Sequence, residues 1–283
     1  MPDPRLTPVR PDLAAKHLQG QVQAARFVDA VMREVVDAQA PLRRTPSPDA
    51  TLNTEVLKGE RVAVYEVTDE GWSWGQLESD GYVGWLPTAA LGPSGPPATH
   101  KVAVLRTLVF PGPSIRLPPL QALSFGCRLV ITHVADQLAV TADGGYIPVR
   151  HLVDITATEP DFVAVAERFV GVPYLWGGKT SLGLDCSGLV QVALTAAGIV
   201  CPRDSDMQEQ TVGRRLAPDP VFSNLRRGDL MFWKGHVAIV RDATSLVHAN
   251  AFHMAVAIES LQDAIARIKS AGSEVASVRQ IDQ

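Results

Sequence analysis

A cysteine stands in "GLDCSGLV" at Cys186, and two histidines follow in "WKGHVAIV" and "LVHAN", His236 and His248. Together these residue types can do nucleophilic chemistry. The thiolate is the reactive form, yet a free thiol with a pKa near ~8.5 is mostly protonated at neutral pH. A place at a helix N-terminus lowers that pKa, because unpaired backbone N–H groups and the helix dipole favour negative charge there. The surroundings of Cys186 fit such a place. Gly178 and Gly183 interrupt regular structure upstream, Asp185 is a natural N-cap, and Ser187-Gly188 lead into an apolar run with helical spacing. The same N–H groups would stabilise an oxyanion on an attacked carbonyl.

Cysteine nucleophiles work with a histidine base that a third polar group orients. His236 opens a β-branched run directly after Gly235, and His248 belongs on the next strand. Neighbouring antiparallel strands can bring two such side chains together on one face. That arrangement makes Cys186 the nucleophile, His236 the general base and His248 the orienting group. Against it, a single Cys is commonly a small packing hydrophobe and a strand His a structural residue. His253 shows, moreover, that histidines are not scarce in this region. Residue chemistry alone leaves both readings open.

The elements that must position these groups follow from periodicity. "EPDFVAVAERFVGVPY" has apolar residues near helical spacing, with Glu159-Pro160-Asp161 favouring a start and Gly171 a stop. "CSGLVQVALTAAGI" reads as a second helix ending at Gly198. "GDLMFWKGHVAIVRDATSLVHANAFHMAVAIES" then supplies three or four strands, and "SLQDAIARIKSAG" a short C-terminal helix. Upstream the texture is all-β. "VAVYEV", "DEGWSWGQLE" and "SDGYVGWLPTAAL" are short β-type runs, with a hairpin signal at Asp80-Gly81. After the linker "GPSGPPATH" come "KVAVLRTLVF", "RLVITHV" and "LAVTADGGYIPVRHLVDI". The pair "DGYVGWLPTAAL" and "DGGYIPVRHLVDI" is an imperfect internal repeat. The expected order is a partly helical N-terminal segment over 1–39, small barrels over 40–95 and 98–155, and an α+β domain over 156–283.

With 46% hydrophobic and 20% charged residues in 283, the chain has material for folded cores. Its net charge of -4 gives no general attraction for nucleic acid or anionic lipid, so small substrates are the easier expectation. No export signal and no membrane span is read from the sequence. The three cysteines are an odd number without CxxC spacing, which argues against a disulfide framework and a zinc site and suits a reducing cytoplasm.

The motifs "GVPYLWGG", "GLDCSGLVQ", "PRDSDMQ", "RRGDLMFWKGHVAIV" and "LVHAN", in this order, resemble the NlpC/p60 family of papain-like cell-wall peptidases. The upstream runs look like the paired bacterial SH3-like domains of its γ-D-glutamyl-L-diamino acid endopeptidase subgroup. The resemblance implies an α+β papain-like catalytic domain preceded by two small all-β SH3-like barrels. It implies a cytoplasmic, monomeric cysteine peptidase without cofactor or metal, acting in murein-peptide recycling on the γ-D-Glu to diamino-acid bond of peptides with a free N-terminal L-Ala. Cys186, His236 and His248 would be the triad, and Tyr174 would stand near the oxyanion. Trp176, Asp185, Ser187, Asp204 and Ser205 would line the substrate pocket. From the first barrel Tyr82 would cap it, together with an acid, Glu55 first and Glu60 or Glu66 as alternatives, all three of which read equally as plain surface charges. Trp72, Trp74 and Trp85 read as barrel core, Cys127 and Cys201 as packing, and Arg203 as a partner for a substrate carboxylate or Asp204. Outside this reading stand a wall-binding scaffold with a vestigial papain-like domain, and an amidase or acyltransferase using the same thiol.

Overall fold

The structure is a computed structural model that describes residues 3–219 and 221–281. It divides into two compact units, Met1–Ala157 and Thr158–Gln283.

In the N-terminal unit a seven-stranded antiparallel sheet is built from Val31–Val35, Gln39–Arg43, Leu52–Leu57, Arg61–Val67, Trp72–Leu77, Val83–Pro87 and Leu91–Pro93. Alternation drives it: along Arg61–Val67 the side chains of Val62 and Val64 are buried while Arg61 and Ala63 are only partly covered. At the Asp80-Gly81 turn Gly81 takes φ +75°, which a glycine adopts without steric cost. The Asp80 carboxylate accepts the Tyr82 N–H at 3.0 Å. Trp74, Trp85, Val83 and Leu13 form a small core, and the Arg10 guanidinium lies over both tryptophan rings at 4.4 and 4.9 Å. Trp72 packs at its edge. After Val83–Pro87 comes a 3-10 turn, Thr88–Ala90, and then another strand. The same succession recurs as Tyr146–Pro148, Val149–His151 and Leu152–Asp154. Residues 98–155 form short antiparallel sheets around Val102, Val109, Leu123, Cys127, Leu129 and Ile147.

The partly helical N-terminal segment is not what forms. Among the described residues its helical content is one 3-10 turn, Lys16–Leu18. Leu13–Ala15 and Arg26–Val28 pair as parallel strands, and Val31–Val35 joins the large sheet, so a boundary at residue 39 falls inside that sheet. The apolar spacing of "AARFVDAVMREVV" suits helix and strand alike. Pairing decides it, since Val31 lies opposite Val64 and Arg33 opposite Val62, where β-branched side chains pack well.

Among the described residues the C-terminal unit holds four helices, α1 (Phe162–Arg168), α2 (Cys186–Ala196), α3 (Ser205–Thr211) and α4 (Leu261–Ser270). Its main sheet has β1 (Arg214–Leu216), β2 (Leu230–Trp233), β3 (His236–Asp242), β4 (Ser245–Asn250), β5 (Ala255–Ser260) and β6 (Ser277–Gln280). All neighbours are antiparallel, in the order β1-β6-β2-β3-β4-β5. Asp161 caps α1, accepting the Val163 and Ala164 N–H groups at 2.9 and 3.1 Å. Helices α1 and α2 pack against each other and on β3 and β4. Leu261 and Ala264 of α4 join Ala238, Val240 and Leu246 in one core, which places α4 over one face of the sheet. By strand alternation His236 and His248 belong to that face. Among the described residues no helix is long and apolar enough to cross a membrane.

Candidate active site

Cys186 is the first residue of α2, and Asp185 caps the helix by accepting the Gly188 N–H at 2.7 Å. A Cβ at Gly188 would run into the Gly178 carbonyl, so only glycine lets the first turn of α2 come this close to the loop before it. The same Asp185 accepts the Gly177 N–H at 2.8 Å, tying that loop to the cap. Beneath the cap Arg203, 1% exposed, reaches both carboxylate oxygens at 2.9 and 2.8 Å and the Ser187 hydroxyl at 2.9 Å. Arg203 also donates to the Gly178 carbonyl at 3.3 Å. Gln208 of α3 donates to the Ser187 and Pro202 carbonyls, each at 2.9 Å, and locks α3 to the head of α2.

Cys186 is 7% exposed, and its thiol lies close enough to the backbone N–H of Val237, the residue after His236, and to that of Ser187 for both to favour its charged form. Thiol and imidazole therefore share the start of β3. The expected lowering of the thiol pKa does not occur. Burial, and then the Asp185 carboxylate, push the Cys186 thiol up to about 11, against the opposing pull of the two N–H groups and Arg203. His236 Nε2 lies 3.0 Å from His248 Nδ1. Burial, followed by the charges of His248 and Arg267, holds His236 down at about 3. Burial likewise holds His248 at about 4, although Glu259 opposes it. The resting pair is a neutral thiol and a neutral imidazole.

The chain of contacts does not stop at His248. Its Nε2 lies 3.0 Å from Glu259 Oε2 on β5, and Arg267 of α4 grips Glu259 through two bonds of 2.9 and 2.7 Å. Burial raises the Glu259 carboxyl, but Arg267 and then His248 outweigh it and keep the group below its ordinary range. Neither Glu259 nor Arg267 is singled out by motif reading. The available signal is register: Ala257 lies opposite His248, and Glu259, two residues on, shares its face. His253 donates its backbone N–H to Asn250 Oδ1 at 2.8 Å and sets Nδ1 3.0 Å from the same oxygen. His248, His253 and Glu259 offer ligand atoms within 4.8 Å of one another, a spacing some cations accept. Both His248 nitrogens and the Glu259 carboxylate are already committed to the hydrogen bonds above.

The other expected residues of the C-terminal unit differ widely in exposure. Tyr174 is half-buried, and burial followed by the charges of Cys186 and Asp185 lifts its hydroxyl to about 12, so it stays a hydrogen-bond donor at neutral pH. Trp176 is 65% exposed, and Ser187 is buried under the cap. Asp204 and Ser205 sit half-buried at the start of α3, with Asp204 in the N-cap position. Asp185, expected in the pocket, is instead occupied by the cap and by Arg203, and Arg203 pairs with Asp185 through both of that residue's oxygens. Tyr82 and Glu55 belong to the N-terminal unit, where they are 4% and 5% exposed. The surface-charge reading fails for Glu55 and Glu60. Glu55 accepts from Gln39 at 3.0 Å, and Glu60, also buried, accepts the Leu57 N–H at 2.7 Å and so closes a turn. Glu66 pairs with Arg10 and Arg26. Cys127 lies in the core of its sheets, where burial drives its thiol up to about 12, and Cys201 is buried as well.

Residues 171–272 match the NlpC/P60 family, and residues 42–91 match the bacterial dipeptidyl-peptidase Sh3 domain. The chain is 27% identical over 245 residues to the gamma-D-glutamyl-L-lysine dipeptidyl-peptidase of Bacillus subtilis, covering 77% of this chain and 78% of that one. It is 34% identical over 114 residues to dipeptidyl-peptidase 6 of Lysinibacillus sphaericus, a match spanning 40% of this chain and 41% of that protein. A solved NlpC/P60 family protein from Bacillus cereus superposes with a TM-score of 0.72 at 21% identity, over 88% of this chain and 99% of that one.

Proposed function

We propose that this protein, which carries an NlpC/P60 domain behind a bacterial dipeptidyl-peptidase Sh3 domain, is a cysteine endopeptidase that cleaves the γ-D-Glu to diamino-acid bond of short wall peptides. The observation that carries the reading is the His236–His248 contact at 3.0 Å, with the thiol at the head of a capped helix and near the backbone of Val237, the residue after His236. As the Cys186 sulfur attacks the γ-carbonyl carbon, His236 takes the thiol proton, since thiol and imidazole both rest uncharged. The carbonyl oxygen gains charge and is held by backbone N–H at Cys186 and by the Tyr174 hydroxyl. His236 then returns the proton to the leaving amine, and water attacks the thioester along the reverse path to free L-Ala-D-Glu and the thiol.

Ser187, Asp204 and Ser205 are the groups this reading assigns to the substrate, with Trp176 as an apolar wall. Hydroxyls suit the free α-carboxylate of D-Glu, and an acid suits a free N-terminal ammonium. The reading includes a second SH3-like unit over residues 98–155, supported by the repeated strand, 3-10 turn and strand. A requirement for a free amino terminus suits recycled wall peptides better than intact wall.

The test uses pure protein with L-Ala-γ-D-Glu-meso-diaminopimelate, the N-acetylated peptide, and a Cys186→Ala variant. Release of L-Ala-D-Glu from the free peptide by the wild type only is the expected outcome. No release by the wild type defeats the reaction, and equal cleavage of the acetylated peptide defeats amine recognition.

A further inference from the structure

We propose that Glu259 is a positioning residue that sets the direction of the histidine relay, by fixing which nitrogen of His248, and through it of His236, carries the proton. The inference rests on the reading of Cys186 and His236 as nucleophile and base. A neutral imidazole has one N–H and one lone pair, and the partner of one nitrogen decides the state of the other. Glu259 is an ionised carboxylate gripped by Arg267 through two bonds, so toward His248 it only accepts. His248 Nε2, at 3.0 Å, must therefore be the N–H donor, and Nδ1 is left with the lone pair. That lone pair faces His236 Nε2 at 3.0 Å, which must in turn carry a hydrogen. His236 Nδ1 is then the unprotonated nitrogen, the one able to take a proton from a thiol. A single carboxylate at the far end of the relay thus leaves the lone pair on the His236 nitrogen that the relay does not use.

Without that carboxylate the opposite arrangement, with His248 Nδ1–H donating to His236 Nε2, becomes equally open. It would place the hydrogen on His236 Nδ1 and remove the base. A histidine in the third position cannot prevent this by itself, because a neutral imidazole donates as readily as it accepts. Arg267 has a separate part: it holds Glu259 in place and offsets its charge, but it touches neither imidazole in this hydrogen-bond chain.

The experiment compares Glu259→Leu, Arg267→Met and the double variant, in which no uncompensated charge remains. Nitrogen-15 NMR of the two imidazoles, recorded in a Cys186→Ala background, reads the tautomers without any substrate. It therefore separates failure of this inference from failure of the proposed reaction. The wild type is expected to show Nε2–H on both rings, and Glu259→Leu and the double variant a mixture of tautomers. With the native thiol, Glu259→Leu should lower kcat by about 10- to 100-fold with KM changed less than about two-fold, as partial loss of a general base does. Arg267→Met keeps the acceptor, so it should keep the Nε2–H pattern and lose only a few-fold in kcat. Nε2–H retained on both rings of Glu259→Leu and of the double variant overturns the inference. So does an equal loss of kcat in Arg267→Met and Glu259→Leu, because a purely structural tie between β5 and α4 would be broken alike by either change.

Discussion

Two carboxylate–arginine pairs flank the thiol, and they are alike in chemistry but not in use. Asp185 and Arg203 are almost fully enclosed, with side chains 10% and 1% exposed, and besides bonding each other they bond the backbone and the hydroxyl that shape the head of α2. Glu259 and Arg267 are 10% and 25% exposed, and their free side meets an imidazole that can change charge. The first pair holds a shape. The second ends a proton path. A buried ion pair gains little net energy, because desolvating both groups offsets their attraction, but losing one partner leaves the other uncompensated. Asp185 is thus worth having where geometry must not vary, even though its charge raises the thiol pKa that the reaction has to lower.

The sharpest break of this comparison is Arg203→Met. It strands the Asp185 carboxylate under α2 and should cost about 3–5 kcal/mol of unfolding free energy, measured by urea denaturation of the full chain. A loss below ~1 kcal/mol would mean that Asp185 is hydrated, and that the two pairs do not differ as argued.

A second prediction concerns acid. The imidazoles of His236 and His248 lie at about 3 and about 4 in the fold, below the ordinary value of 6.5. The unfolded chain therefore binds more protons between these values, and stability is complete above about 6.5 and falls as pH drops through that window. The slope should reach up to about 1.4 kcal/mol per pH unit for each imidazole. His236→Gln should flatten the curve between pH ~6.5 and ~4. An unchanged slope in His236→Gln would show that this imidazole is not held neutral by burial. The smallest effect is expected from Arg267→Met. Its partly exposed pair should be worth about 0.2–1 kcal/mol in the same denaturation measurement, and a loss near that of Arg203→Met would erase the distinction between the two pairs.

Much of the site is legible along the chain because it rests on local patterns. An Asx cap followed by glycine three residues later marks the head of α2, and the structure has Asp185 accepting that glycine's N–H. Alternation in two adjacent strands puts His236 and His248 on one face, and their nitrogens meet at 3.0 Å. What stayed illegible is of three kinds. The 11–38 segment carries apolar spacing compatible with two secondary structures, so only its pairing partner could decide. Arg203 reaches Asp185, 18 residues back along the chain, because a long side chain is directed by the enclosure it enters. The thiol pKa rises where the helix terminus alone predicts a fall, because desolvation outweighs the dipole.

The sequence by itself determined the helix that presents Cys186 and the strands that present His236 and His248. These depend on residue type and on periods of two and 3.6, which a chain carries locally. Tertiary structure alone decided that the relay runs on to Glu259 and Arg267, that Asp185 belongs to Arg203, and that thiol and imidazole rest uncharged. Those outcomes depend on burial and on distances between residues far apart in sequence, and no local period encodes either.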